Sequence, residues 1–248
     1  EKKLYSRMKK TVDMIASQGC KYIRTFVDVD NIVGLKCVEQ AHRLKSVKKQ
    51  DGVYIQLATQ PLEGLAGDDA NIELFEKAAN ICDIVGCLPS RDGKIGKWDE
   101  HMDIAFSTAK RLNKPLEAHL DQLNTPNENE TERFCDFVEK YNYQGKVRSI
   151  HSISVACQPL DKQKEISERL RELDIGVVIC PSAAISMTQE TNTDAPIHNS
   201  IAPVKMFIDN GVNVALGIDN IQDLFMPFCD GNLEFELRVL AEATRIYD

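Results

Sequence analysis

The chain has 248 residues and a formal charge of −8, from 30 basic and 38 acidic side chains. Hydrophobic residues make up 43% and charged residues 27%, which supports a large buried core and argues against disorder. No basic stripe offsets the acidity, so nucleic acid is not expected as a partner, and no apolar run approaches the roughly 20 residues that span a bilayer.

Taken in chain order, residues 1–18 have the rhythm of an amphipathic helix. Seven apolar, β-branched-rich runs then recur at intervals of about 30 residues, the length of a βα unit. They are "KYIRTFVDV", "GVYIQLAT", "CDIVGCLP", "PLEAHLD", "KVRSIHSIS", "IGVVICPS" and "VNVALGID". Helical segments lie between them. "NIELFEKAANI" places Ile72, Phe75 and Ala79 on one face. "DEHMDIAFSTAKRL" follows Asp99 as N-cap, and "NETERFCDFVEKYN" begins at Asn129 with acids in its first turn. "KQKEISERLREL" is charged on its outer face, and "IAPVKMFIDNG" ends at Gly211 as a C-cap.

The strands are apolar along most of their length, as parallel strands buried on both faces are. Alternation of β and α over the whole chain gives an α/β fold. An open sheet usually announces its ligand with a glycine-rich first turn, and none is present. The expected architecture is therefore a (βα)8 TIM-type barrel forming a single domain over 1–248. In a barrel each helix follows its strand, so the helix at 1–18 belongs to a first unit whose strand lies outside these residues. The seven runs are then strands two to eight.

The eight cysteines form no CxxC pair, and several occupy apolar positions. They suggest a reduced, cytoplasmic protein with neither a disulfide scaffold nor a thiolate zinc site. No signal peptide is expected.

Barrel chemistry collects at the C-terminal ends of the strands. Here those ends hold Phe26, Asp28 and Asp30; Gln60 and Glu63; "PSRD"; His119, Asp121 and Gln122; His151; "CPSA"; and Asp219 with Asn220. Either histidine alone reads as a satisfied core residue. Together on adjacent strands, with Asp219 on the last, they read as a site for one divalent metal ion, zinc or iron. His42 and His101 lie on helices and are expected to be solvated. His198, in the loop before "NSIAP", could reach the mouth of the site. Asp28 and Asp30 read equally well as strand-end caps or as catalytic groups.

"EAHLDQ", "SIHSIS" and "VNVALGIDNIQDLFMPF", with "YIRTFVDVD" earlier, resemble the amidohydrolase superfamily. The likeness is to its cytosine deaminase-like branch, which includes N-isopropylammelide isopropylaminohydrolase. The resemblance implies metal-assisted hydrolysis of a C–N bond, other than a peptide bond, in a small heterocyclic amine or cyclic amide. It implies His119 and Asp219 as metal ligands, Asp219 also as general base, and His151 as a partner of the attacking water or the substrate. Asn220 and Asp223 would hold the following loop. Gln60, Leu62, Glu63 and Asn220 would contact substrate, and Gln122 would be catalytic.

The sequence departs from that pattern in three places. The first-strand HxH pair is absent. Gln122 stands where the deaminases have a glutamate, and an amide cannot shuttle a proton. Leu62 stands where the branch has a glutamine in its third-strand loop, and Phe26 where it has a histidine, so the pocket is expected to be more apolar. Neither half of the family's small β-sandwich is visible. The competing expectation is a truncated, metal-free and inactive barrel fragment that folds or oligomerises. A homo-oligomer is expected on general grounds.

Overall fold

The structure, a computed structural model, describes residues 2–187 and 200–247. It divides into two compact units, 1–118 and 119–248. The first contains α1 (Lys2–Ser17), β1 (Tyr22–Asp28), α2 (Lys36–Gln50), β2 (Tyr54–Gln60), α3 (Asp69–Ile81) and β3 (Val85–Cys87). The short α4 (Ser90–Gly93), α5 (Trp98–Leu112) and the start of β4 (Leu116–Leu120) complete it. The second unit takes the end of β4 into α6 (Glu130–Tyr141), β5 (Val147–His151), a 3-10 turn (Ile153–Cys157) and α7 (Leu160–Glu172). It continues with β6 (Ile175–Ile179), α8 (Pro181–Ser186), α9 (Val204–Asp209), β7 (Val214–Leu216) and α10 (Leu233–Thr244). All seven expected strands and the opening helix are therefore present.

The strands pair in parallel. In the first unit β1 and β2 run in register from Tyr22 opposite Tyr54 to Asp28 opposite Gln60, and β3 pairs with Leu116–Ala118 of β4. In the second, β6 lies between β5 and β7. Parallel pairing requires a crossover between neighbours, and the helices supply it. Their apolar faces close the cores: Phe75 and Phe106 are fully buried in the first unit, Phe134 and Phe207 in the second. Each such ring removed from water contributes about 1.5–3 kcal/mol. The helix ends follow local chemistry. The Asp68 side chain caps α3 by accepting from the Asn71 N–H, while α5 and α6 stop at Asn113 and Asn142, both left-handed.

Three expectations about the helices need correction. Helix α5 starts at Trp98, so Asp99 lies in its first turn rather than capping it. On α3 the buried positions are Asn71, Phe75, Ala78 and Ala79, with Ile72 only half-buried, because the stripe is rotated toward Asn71. His101 is not solvated. It is fully buried on the same face as Met102, Ala105 and Phe106, and its two ring nitrogens meet Asp92 and the Leu88 N–H. His42 is exposed, and His198 lies outside the described residues.

None of the eight cysteines, all among the described residues, forms a disulfide. No helix among the described residues is long and apolar enough to cross a membrane.

Candidate active site

In the second unit, three of the sequence-predicted residues converge. His119 lies in β4, whose five residues are all buried. His151 is the last residue of β5, and Asp219 follows β7. The chain after β5 is tied directly to the end of β4: the Ser152 N–H donates to Leu120 O, and those of Ile153 and Ser154 to Asp121 O. This lacing holds the two imidazoles side by side, ring centroids 5.4 Å apart and tilted by 45°. Behind them, the Thr131 hydroxyl donates to Ser152 Oγ, which is 2.6 Å from Ser149 Oγ. At β7, the Gly217 N–H donates to Ile179 O. A methyl group on Gly217 would come within 2.9 Å of Cys180 Sγ and Val178 Cγ1, so glycine is needed for the chain to turn past β6 toward Asp219.

The backbone is strained where these side chains are presented. Asp121, His151, Ser152 and Asp219 all have positive φ, at 52°, 78°, 51° and 73°. Non-glycine residues rarely adopt this conformation, and it concentrates at functional sites.

Burial sets the electrostatics. It holds the His151 imidazole down at about 4, so the ring is neutral at pH 7. Its Nε2 lies 3.9 Å from Asp219 Oδ2, and with a neutral ring this contact is not an ion pair. Neither ring nitrogen of His151 has a hydrogen-bond partner among the described residues. The Asp219 carboxyl is raised, chiefly by burial and further by Asp223, with His119 opposing. A carboxylate raised by its surroundings is a better proton acceptor than a solvated one.

The other strand-end residues separate by role. Asp121 is a helix cap: its carboxylate accepts from the Glu130 and Thr131 N–H groups, and Glu130 returns the bond to the Asp121 N–H. Gln122 follows it, half-buried, in a loop that Glu128 secures by accepting from the Leu123 N–H and the Ser154 hydroxyl. Asn220 is half-buried beside Asp219, and Asp223 Oδ1 accepts from the Phe225 and Met226 N–H groups.

In the first unit, Gln60 ends β2 with its Oε1 buried and without a hydrogen-bond partner among the described residues. Leu62 is half-buried and Glu63 exposed in the loop that follows. Asp30 is a cap for the Ile32 and Val33 N–H groups. Asp28 is raised by burial and then by Asp30. A cavity of about 730 Å³ in the second unit, with Lys164, Ser200 and Thr244 in its lining, touches none of these residues.

Imidazole and carboxylate are donors that zinc or iron accepts, and the two open ring nitrogens of His151 suit a further polar group at this point. The donors present are nonetheless too few. Among the described residues, no three His, Cys, Asp or Glu side chains stand together as a metal-binding group. The sequence reading missed the hydroxyl chain of Thr131, Ser149 and Ser152. Its only trace is the pair of serines flanking the histidine in "SIHS".

No family model matches the chain. An uncharacterized protein of Haemophilus influenzae is 32% identical over 205 residues, spanning 82% of this chain and 73% of that protein. The N-isopropylammelide isopropyl amidohydrolase of a Pseudomonas species is 25% identical over 87% of this chain and 50% of its own length. In structure, 5-methylcytosine deaminase from Klebsiella pneumoniae, liganded with 5-fluorocytosine, superposes with a TM-score of 0.90 at 20% identity. That match covers 98% of this chain and 59% of that one. N-isopropylammelide isopropylaminohydrolase from Burkholderia multivorans gives a TM-score of 0.80 at 20% identity, covering 97% and 58%. The chain thus spans about half to three-fifths of these enzymes' lengths. The chain is therefore a relative of the Haemophilus protein, is similar in sequence to the Pseudomonas N-isopropylammelide isopropyl amidohydrolase, and shares the fold of the 5-methylcytosine deaminase and the N-isopropylammelide isopropylaminohydrolase.

Proposed function

We propose that this chain forms most of the catalytic barrel of a metal-dependent hydrolase that removes an amine from a small nitrogen heterocycle or opens a cyclic amide. The observation that carries this reading is the convergence of His119, His151 and Asp219 on strained strand-end backbone. The likeness to the amidohydrolase and deaminase named above supports it. We further propose that 1–248 is a single barrel domain contributing strands two to eight of a (βα)8 barrel, in a cytoplasmic homo-oligomer.

His119 and Asp219 would hold one divalent ion, zinc or iron, with further ligands from outside the described residues. The bound ion would supply an acidified water as nucleophile. Asp219, its carboxyl raised by burial, would take one proton from the attacking water and return it to the nitrogen that leaves as the C–N bond breaks. Neutral His151 hydrogen-bonds the water or the substrate through a ring nitrogen. Gln122 orients the ring through its amide and leaves all proton transfer to Asp219. Gln60, through its Oε1, apolar Leu62, Glu63 and Asn220 are assigned as substrate-binding residues. An inactive, metal-free fragment is the less favoured reading, since it leaves the converged polar residues and their strained backbone without a role.

The test is Asp219→Asn in the full-length protein, assayed on a panel of aminopyrimidines, aminotriazines and cyclic amides with metal content and melting temperature alongside. The expected result is parental folding with turnover lost by about a hundredfold to ten-thousandfold, the contribution of general-base catalysis. Near-parental turnover would sink the assignment.

A further inference from the structure

The loop of residues 61–67, immediately after Gln60, is fixed by a buried pair, Asp92 and His101, that the proposed chemistry does not use. Asp92 Oδ2 accepts from the Leu65 N–H at 2.8 Å, the Ala66 N–H at 3.1 Å and His101 Nδ1 at 2.6 Å. His101 Nε2 accepts from the Leu88 N–H at 3.3 Å, which fixes the tautomer: Nδ1 carries the proton and donates it to Asp92. Both side chains are almost wholly buried. Gly64, at φ +89°, is fitted to this carboxylate, since a Cβ there would lie 2.5 Å from Asp92 Oδ1.

A loop can be held down by apolar side chains, which tolerate displacement because the hydrophobic effect is non-directional. A buried carboxylate with three converging donors does not, since any shift leaves a charged group short of partners. Here it grips the loop that carries Leu62 and Glu63, with Gln60 at its root.

Resting on the reading of this loop as substrate-binding, we infer that Asp92 and His101 are positioning residues that set substrate affinity by fixing Gln60, Leu62 and Glu63.

The experiment uses the full-length protein and the best-turned-over member of the panel above. It compares Asp92→Asn, His101→Phe, His101→Asn and Gln60→Ala, with rates normalised to the folded fraction. Asp92→Asn and His101→Phe are expected to raise KM about tenfold, the scale of one lost hydrogen bond to the substrate, while kcat changes less than about threefold. His101→Asn, whose amide can take the place of the Nδ1 donor, is expected to restore most of the loss. A merely structural pair would lower the melting temperature and leave KM of the folded fraction unchanged, and that result overturns the inference. If Gln60→Ala also leaves KM unchanged, the loop does not bind substrate and the underlying reading fails. If Gln60→Ala raises KM and the pair does not, the positioning role alone fails. A parent that turns over no member of the panel overturns both.

Discussion

Placing a single methyl group on Gly86 tests how tightly β2 and β3 are joined beside Gln60. An alanine Cβ at this position would meet Thr59 O at 2.1 Å and two atoms of the Phe26 ring at 2.6 and 2.7 Å. The ring can turn aside, but the carbonyl belongs to β2 and must retreat by about 1.3 Å to reach ordinary contact at 3.4 Å. The same residue pair is joined twice more: Thr59 Oγ1 donates to Gly86 O at 2.8 Å and accepts from the Gly86 N–H at 2.9 Å. Overpacking costs about 1–3 kcal/mol and each weakened hydrogen bond about 1 kcal/mol. Gly86→Ala should therefore destabilise by about 3–5 kcal/mol. At about 2–4 °C per kcal/mol for a chain of this size, the melting temperature should fall by about 6–20 °C. Gly176→Ala is the control, because its nearest neighbour is the Arg148 side chain at 3.3 Å, which can swing away. Thermal unfolding of parent and both variants reads the difference. If Gly86→Ala melts within about 2 °C of the parent, rigid packing at this joint is refuted.

Three further outcomes follow from other parts of the molecule. The His151 imidazole sits near 4 when folded and near 6.5 when unfolded, so the unfolded chain binds more protons between those values. Its contribution to stability is complete above pH 6.5 and declines as pH falls toward 4, by up to about 3 kcal/mol. Urea unfolding of chelator-treated protein at pH 7 and 4.5 should show this slope in the parent and a smaller one in His151→Gln. Asp121→Ala removes the side-chain acceptor for two N–H groups of α6 and puts alanine at positive φ, which should cost about 2–3 kcal/mol by urea titration. Asp121→Asn should recover more than half of that, and an equal loss for both would count against the capping role. Arg24→Met strips the nearly fully buried Glu117 of its guanidinium partner and should cost about 3 kcal/mol, the low end for a buried pair because Arg24 is one-third exposed. Adding Glu117→Leu should restore stability; a double variant weaker than the single one would refute an electrostatic origin.

The sequence carried the order of the fold in its periodicity. Seven β-branched runs and the helices between them were readable because each has a strong local signal, and "SIHSIS" placed His151 at a strand end as the structure does. The side of a helix that faces inward was less readable. His101 looked solvated because it lies on a helix, yet it is buried and paired with a side chain nine residues away that no local pattern announces. Asp121 and Asp30 show the same limit. Both stand where a catalytic acid would, and only the backbone N–H groups that reach them show that they are caps. The strand positions of His119, His151 and Asp219 were legible and the structure brings the three together, but among the described residues no complete metal-binding group is formed.

The left-handed residues at the strand ends bear on how this protein can change. Each of His151, Ser152 and Asp219 holds back about 1–3 kcal/mol that glycine would release, whereas at Asp121 the lost cap offsets the gain. A laboratory lineage selected only for heat resistance would therefore find its easiest gains among the residues that present the chemistry. Such a lineage should become tougher and duller together. A chain that keeps these three under natural drift would be revealing, by what it has declined to give up, that the site is still in use.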